Sequence, residues 1–171
     1  MRVVFCTNKL ISELNVFIQP LDNSHINQGL GDWYSNVFEF NKKQNLVFLN
    51  TKTLISFVIP NLTKKDLIGY HDLFLNGLRD LLLAYGIENE IVKKIFIEYI
   101  HLQIAKTESK SYIGFMNDTV QDYKFIFDKG GHEYIKTIDH FNFRLNKKPV
   151  KALDWKFAVE KLEELIKKEY K

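Results

Sequence analysis

Apolar residues recur in two rhythms along this chain, and the change of rhythm divides it. Near the start, Val3-Val4-Phe5-Cys6 is a short unbroken apolar run, which reads as a buried strand. Thr7 and Asn8 follow with side-chain oxygens that can cap a brief helix through residue 14. Residues 16–18 read as a second strand, stopped by Pro20, and 21–31 (LDNSHINQGLG) as a loop of turn formers. Over 34–40 the pattern alternates, with Tyr34, Asn36, Phe38 and Phe40 on one side and Ser35, Val37 and Glu39 on the other. A polar turn at 41–45 leads to apolar runs at 46–49 and 54–59, the latter closed by Pro60. Strands this closely spaced favour antiparallel pairing, because a parallel pair needs a long crossover.

From residue 63 the period lengthens to that of a helix. Thr63, with Asp66 three positions on, caps a helix over 64–85, in which Leu67, Tyr70, Leu73, Phe74, Leu78, Leu81 and Leu82 form one stripe and Gly86 the stop. Gly69 and Gly77 inside it each cost about 1 kcal/mol relative to Ala, which points to close packing. Residues 88–100 repeat the helical pattern, 102–105 read as one more strand, and 113–127 and 132–145 as helices separated at Gly130-Gly131. The last helix carries Trp155, Ala158, Val159, Leu162, Leu165 and Ile166 on one face. Its first-turn Asp154 and last-turn Lys167 and Lys168 suit the helix dipole. The expected fold is α+β in a single domain over 1–171. A small antiparallel sheet from the N-terminal half is covered on one face by four to five helices, mostly from the C-terminal half.

Composition narrows the picture without naming a function. The chain has 171 residues, 46% of them hydrophobic, with 24 Lys+Arg against 21 Asp+Glu for a net charge of +3, too balanced to require a nucleic acid or a membrane as partner. A single cysteine, Cys6, excludes an internal disulfide and a multi-cysteine zinc site, and reads as a small buried hydrophobe. The start is no signal peptide and no run approaches 18 apolar residues, so a soluble cytoplasmic protein is expected. Lys, Asn, Ile, Phe and Tyr are abundant and Arg is scarce, a bias that fits an A+T-rich genome and discounts any argument from counting lysines.

The familiar catalytic signatures are missing. No phosphate-binding glycine loop and no nucleophile elbow occurs, and none of His25, His71, His101, His132 and His140 lies four residues from another. Asp118 and Asp122 share a helical face, which serves a divalent cation or, more commonly, water. Residues 146–171 carry eight Lys and five acids, the composition of a solvated face, with Trp155 and Tyr170 as packing residues. No metal, cofactor or catalytic residue is assigned. Three polar segments stand out: Trp33 to Asn36 at the mouth of a strand, Asn50 to Thr53 where an apolar strand breaks off, and 106–117, running from a strand into a helix start. There Ser109 or Ser111 caps the helix, and Lys106 and Lys110 add positive charge suited to an anion.

Together these segments resemble an uncharacterised bacterial family known only as a domain of unknown function. Its members carry Trp-His-Ala-Asn, a strand ending in Phe-x-Asn-x-x-Thr, a Thr-x-x-Arg-Ser-Val-x-Gly-x-Met-Asn stretch and a late Leu-Asn-x-x-Pro. The counterparts here are Trp33 to Asn36, Phe48 to Thr53, Thr107 to Asn117 and Leu145 to Pro149. The family's histidine is Tyr34 in this chain, so no imidazole acts there. Its arginine is Lys110, which keeps the charge and loses the bidentate fork. The resemblance implies one compact domain and a candidate ligand site of Trp33, Asn36, Asn50, Thr53, Thr107, Lys110, Ser111 and Asn117. The leading expectation is a binding or interaction module with a protein partner, such as an accessory of a defence or toxin–antitoxin system. The second is an enzyme or binder for a phosphorylated or nucleotide-like ligand, with Lys110 and Ser111 on the anion, Trp33 stacked on a base and Asp32 as the nearby acid–base group. Nucleic-acid binding comes third.

Overall fold

The computed structural model describes residues 1–16, 18, 20–21, 25–107, 109–130 and 138–171. Five strands form one mixed sheet: β1 (Arg2–Cys6), β2 (Trp33–Phe40), β3 (Lys43–Asn50), β4 (Ser56–Leu62) and β5 (Leu102–Lys106), in the order β4-β3-β2-β1-β5. The meander β2-β3-β4 is antiparallel, as its short turns require, whereas β1 runs parallel to both β2 and β5. The purely antiparallel expectation therefore holds only for the meander. The long crossovers that parallel pairing needs are supplied by residues 7–32 on one side of β1 and by three helical segments on the other. Val16 and Ile18 lie outside any strand, and Phe17 between them falls outside the described residues.

Among the described residues six α-helices accompany the sheet: α1 (Asn8–Leu14), α2 (Tyr70–Ala84), α3 (Asn89–Glu98), α4 (Lys110–Gly130), α5 (Ile138–Leu145) and α6 (Ala158–Glu169). They cover both faces of the sheet rather than one. Val4, Cys6, Trp33, Val37, Phe48 and Phe57 pack against α1, α2, α3 and α6. Tyr34, Phe38, Val47, Leu49 and Val58 pack against Met116, Val120, Tyr123 and Phe127 of α4, with α5 alongside. The continuous run Leu46-Val47-Phe48-Leu49 carries the reason. A strand buried on both faces has no polar side, so it does not alternate. Burying each such side chain contributes roughly 1.5–3 kcal/mol.

Several helix ends differ from the sequence expectation. Thr63 and Asp66 do pair, the Thr63 N–H and hydroxyl both donating to Asp66 Oδ2 at 2.7 Å. They stabilise a 3-10 turn, Asp66–Gly69, before α2 begins at Tyr70. Gly69 stands in open space, whereas a Cβ on Gly77 would strike the Phe57 ring, so only Gly77 marks close packing. α4 starts at Lys110, which puts Ser111 inside the first turn and not at the cap. The 132–145 helix is seen as Ile138–Leu145, with 132–137 outside the described residues. Asp154 and Trp155 both take left-handed backbone angles (φ 54° and 65°), which break the chain before α6. Trp155 is therefore 67% exposed and not part of the stripe, and Glu160, accepting the Phe157 N–H at 2.8 Å, is the first-turn acid.

The outer margin of β4 is closed by two asparagines one helical turn apart. The Ser56 N–H donates to Asn146 Oδ1 and Asn146 Nδ2 donates back to the Ser56 carbonyl, both at 2.7 Å. Asn142 treats Val58 the same way, at 3.0 and 3.4 Å. Side-chain amides thus stand in for a sixth strand. No helix among the described residues is long and apolar enough to cross a membrane.

Candidate functional site

Parallel strands aim their carboxyl ends the same way, so β1 and β5 deliver Thr7 and Thr107 side by side, and the pairing of β1 with β2 adds Asn36. The Thr7 N–H donates to the Ser35 carbonyl and the Thr107 N–H to the Cys6 carbonyl, at 3.2 and 3.1 Å, which fixes the row Asn36–Thr7–Thr107. Thr7 is also the cap of α1. Its hydroxyl donates to Asn36 Oδ1 at 2.7 Å, leaving Asn36 Nδ2 without a partner among the described residues. Thr107 Oγ1 is enclosed and makes no hydrogen bond within the normal distance among the described residues. The Tyr34 hydroxyl faces the Thr107 and Ser109 side chains, and their hydrogen-bonding influence acts on the phenol.

Beneath this row Tyr34 is stacked between Phe5 and Tyr112, at centroid distances of 5.0 and 4.7 Å. Burial pushes the Tyr34 phenol above its ordinary value, against the neighbouring Thr107 and Ser109 hydroxyls that pull it down, so it stays a neutral donor. A groove of about 420 Å³ opens beside it, lined by Phe5, Ile18, Tyr34, Ala105, Lys106 and Ser109 among others. None of its described lining residues is acidic. Lys106 and Lys110 are exposed and have no ion partner among the described residues. Ser109 and Ser111 share a hydrogen bond at 3.1 Å at the start of α4. The set offers neutral hydroxyls, an amide N–H and two ammonium groups, which suit a ligand rich in acceptors.

The other predicted residues are elsewhere. Trp33 is fully buried, edge-on to Phe57 and Phe74, with Nε1 donating to the Tyr99 hydroxyl at 3.0 Å, so it can stack on no base. Asn50 is buried and saturated: Nδ2 donates to the Leu30 and Asp32 carbonyls, and Oδ1 accepts from the Lys52 and Thr53 N–H groups and the Thr53 hydroxyl. Thr53 closes the same turn through the Ile55 N–H. Asn117 is exposed on α4, two turns beyond its start. Of the eight candidates, Asn36 and Thr107 share one row through Thr7, and Lys110 and Ser111 stand in the first turn of α4 next to Ser109, which lines the groove; Trp33, Asn50, Thr53 and Asn117 lie apart from that row.

Two associations are not visible in the sequence, although Asp32 is expected from it as an acid–base group. Thr7 and Tyr34 join the carboxyl-end cluster only because β1 pairs in parallel, which no local pattern announces. At the opposite end, Asp32 is 2% exposed; Oδ1 accepts the Val3 N–H at 2.9 Å and Oδ2 pairs with His25 Nε2 at 2.7 Å. His25 lines an open groove of about 490 Å³ with Arg2, Glu98, His101 and Gln103, where Arg2 is ion-paired to Glu98 and the Tyr170 hydroxyl donates to Glu98 at 2.6 Å. Cys6 is inert there and elsewhere: burial lifts its thiol to about 12. Asp122 of the acidic pair is engaged by Lys148 at 2.9 Å.

The family described as Domain of unknown function (DUF6933) matches residues 3–161. The chain belongs to it. The DUF6933 match runs from β1 into α6, so both polar clusters lie inside the shared domain. No curated protein and no solved structure matches the chain. What a DUF6933 domain does must therefore be read from its own geometry.

Proposed function

We propose that this protein is a binding module that takes a small phosphorylated or otherwise anionic ligand at the carboxyl ends of β1 and β5. The observation that carries the reading is the enclosed Thr107 hydroxyl, in one row with the Asn36 amide, both unmatched among the described residues, with Lys106 preceding it in β5. A buried hydroxyl left unsatisfied costs about 1–3 kcal/mol, which a hydrogen bond to a bound oxygen would recover. Open sheets take ligands outside the carboxyl ends of parallel strands, where the chain leaves in opposite directions. β1 is such a point, with β2 on one side and β5 on the other. The first turn of α4 adds free N–H groups. Because the described lining holds neither a carboxylate nor an imidazole, the groove favours binding over proton transfer.

Titration calorimetry with inorganic phosphate, then with nucleotides and phosphorylated metabolites, tests this. Binding that is weakened by both Thr107→Val and Lys110→Ala is expected. Absence of heat across the panel, or binding indifferent to both substitutions, overturns it.

A second reading rests on His25. Asp32 fixes its ring through Nε2 and leaves Nδ1 without a partner among the described residues, in a groove lined mainly by polar side chains. An oriented imidazole of this kind is the working part of a general base. Hydrolytic turnover lost in His25→Asn, with phosphate binding intact, would move the function to that end of the sheet.

A further inference from the structure

The two margins of the sheet are finished differently. Along β4 the outward positions are Ser56, Val58 and Pro60: the first two are occupied by Asn146 and Asn142, and proline has no N–H. Along β5, the Thr107 N–H turns inward to Cys6. By alternation Gln103 and Ala105 also face β1, and the N–H and C=O groups of Leu102, Ile104 and Lys106 point away from the sheet. None of these outward groups bonds to a described residue. Such a row is a template for another strand.

We propose that a second copy of this chain occupies it, with β5 pairing antiparallel to the β5 of the other copy about a twofold axis at Ile104. The strand is self-complementary in that register. Outward Ile104 meets outward Ile104, and Leu102 meets Lys106, so every outward residue exchanges two hydrogen bonds and no lysine faces a lysine. The side chains of Leu102 and Ile104 are only partly buried at the margin of the core, and a continued sheet covers them. Ile97 and Met1, 69% and 71% exposed, line one groove with Gln103 of β5, and Ile100, 55% exposed, stands two residues before the strand. A net charge of +3 opposes the approach of two copies only weakly. An isologous twofold contact also closes on itself. Once β5 is paired, both remaining margins are β4 edges already capped by asparagine and proline, so growth stops at the dimer.

Sedimentation equilibrium of the full chain tests the pairing, with Ile104→Lys and Ile104→Glu alongside. A monomer–dimer equilibrium is expected for the natural chain. Each variant alone is expected to be monomeric, because like charges then meet at the axis, and an equimolar mixture of the two is expected to dimerise again. Amide exchange reads the same contact without any substitution: the Leu102, Ile104 and Lys106 N–H groups gain protection as concentration rises. A constant mass of 20.2 kDa up to millimolar concentration overturns the proposal. So does a dimer that forms without protecting those amides, or one that neither variant disturbs.

Discussion

The chain holds two clusters built from the same residue types, and they differ in what is left over. At Asn50 every polar atom of the side chain is used. The Asn50 amide serves two carbonyls and two N–H groups, and the Asp32 carbonyl takes the Thr51 N–H and hydroxyl as well. Around Asn36 and Thr107 an amide donor, an enclosed hydroxyl and two ammonium groups are unmatched among the described residues. Asparagine and threonine next to a strand end thus mean two things. Where the hydrogen-bond account closes, they hold a turn; where it stays open, they are available to something else.

The largest expected effect falls on the closed cluster. Asn50→Ala strips a buried amide from five partners, and a loss of roughly 3–4 kcal/mol is expected in chemical denaturation. A loss below about 1 kcal/mol would mean that the two clusters do not differ as described.

Alkaline pH probes the same region through Tyr99, whose hydroxyl accepts the Trp33 N–H and donates to the Gly31 carbonyl at 2.5 Å. Burial pushes the phenols of Tyr99, Tyr70 and Tyr123 well above their ordinary value. Below about pH 10 they are protonated in the folded and the unfolded chain alike. Above it only the unfolded chain ionises, so stability is fully present below pH 10 and is lost as pH rises. The expected slope is at most about 1.4 kcal/mol per pH unit for each phenol. Denaturation curves at pH 9, 10 and 11 measure it, and a flat profile contradicts the burial of these rings.

On the open side the signature is reversed. Thr107→Val removes a hydroxyl that has no partner, so stability is expected to stay within about 0.5 kcal/mol of the natural chain or to rise, while affinity for the anion falls about tenfold. The smallest effect on the fold belongs to Lys110→Ala. Its thermal midpoint is expected to be unchanged, with a loss of anion affinity that shrinks as salt is added.

The contrast also shows which features can be read along a chain. The α2 and α6 stripes, the meander and the burial of Cys6 follow from local pattern, because periodicity reports which side of an element meets a core. The second helical layer could have been inferred from the non-alternating Leu46 to Leu49 run. The parallel placement of β1 could not. It depends on which strands meet across the sheet, and that single fact brings Thr7, Asn36 and Thr107 together. Trp33 misleads for a related reason. A tryptophan at a strand mouth looks presented to solvent until Phe57, Phe74 and Tyr99 close over it from elements 24 to 66 residues away. His25 carries no local signal at all, since its partner Asp32 lies across a loop of polar residues.

The asparagine pair beside β4 has a bearing on synthesis. Ser56 and Val58 wait for side chains 90 and 84 residues further along. A ribosome adding roughly 5–20 residues per second leaves that margin bare for about 5–20 seconds after the meander has been made. During that interval the nascent chain presents an open hydrogen-bonding row, with Pro60 the one blunting device already in place. A message truncated before α5 would yield a meander that never loses this adhesive side. A helix made late in the chain thus protects a margin of the sheet made long before it.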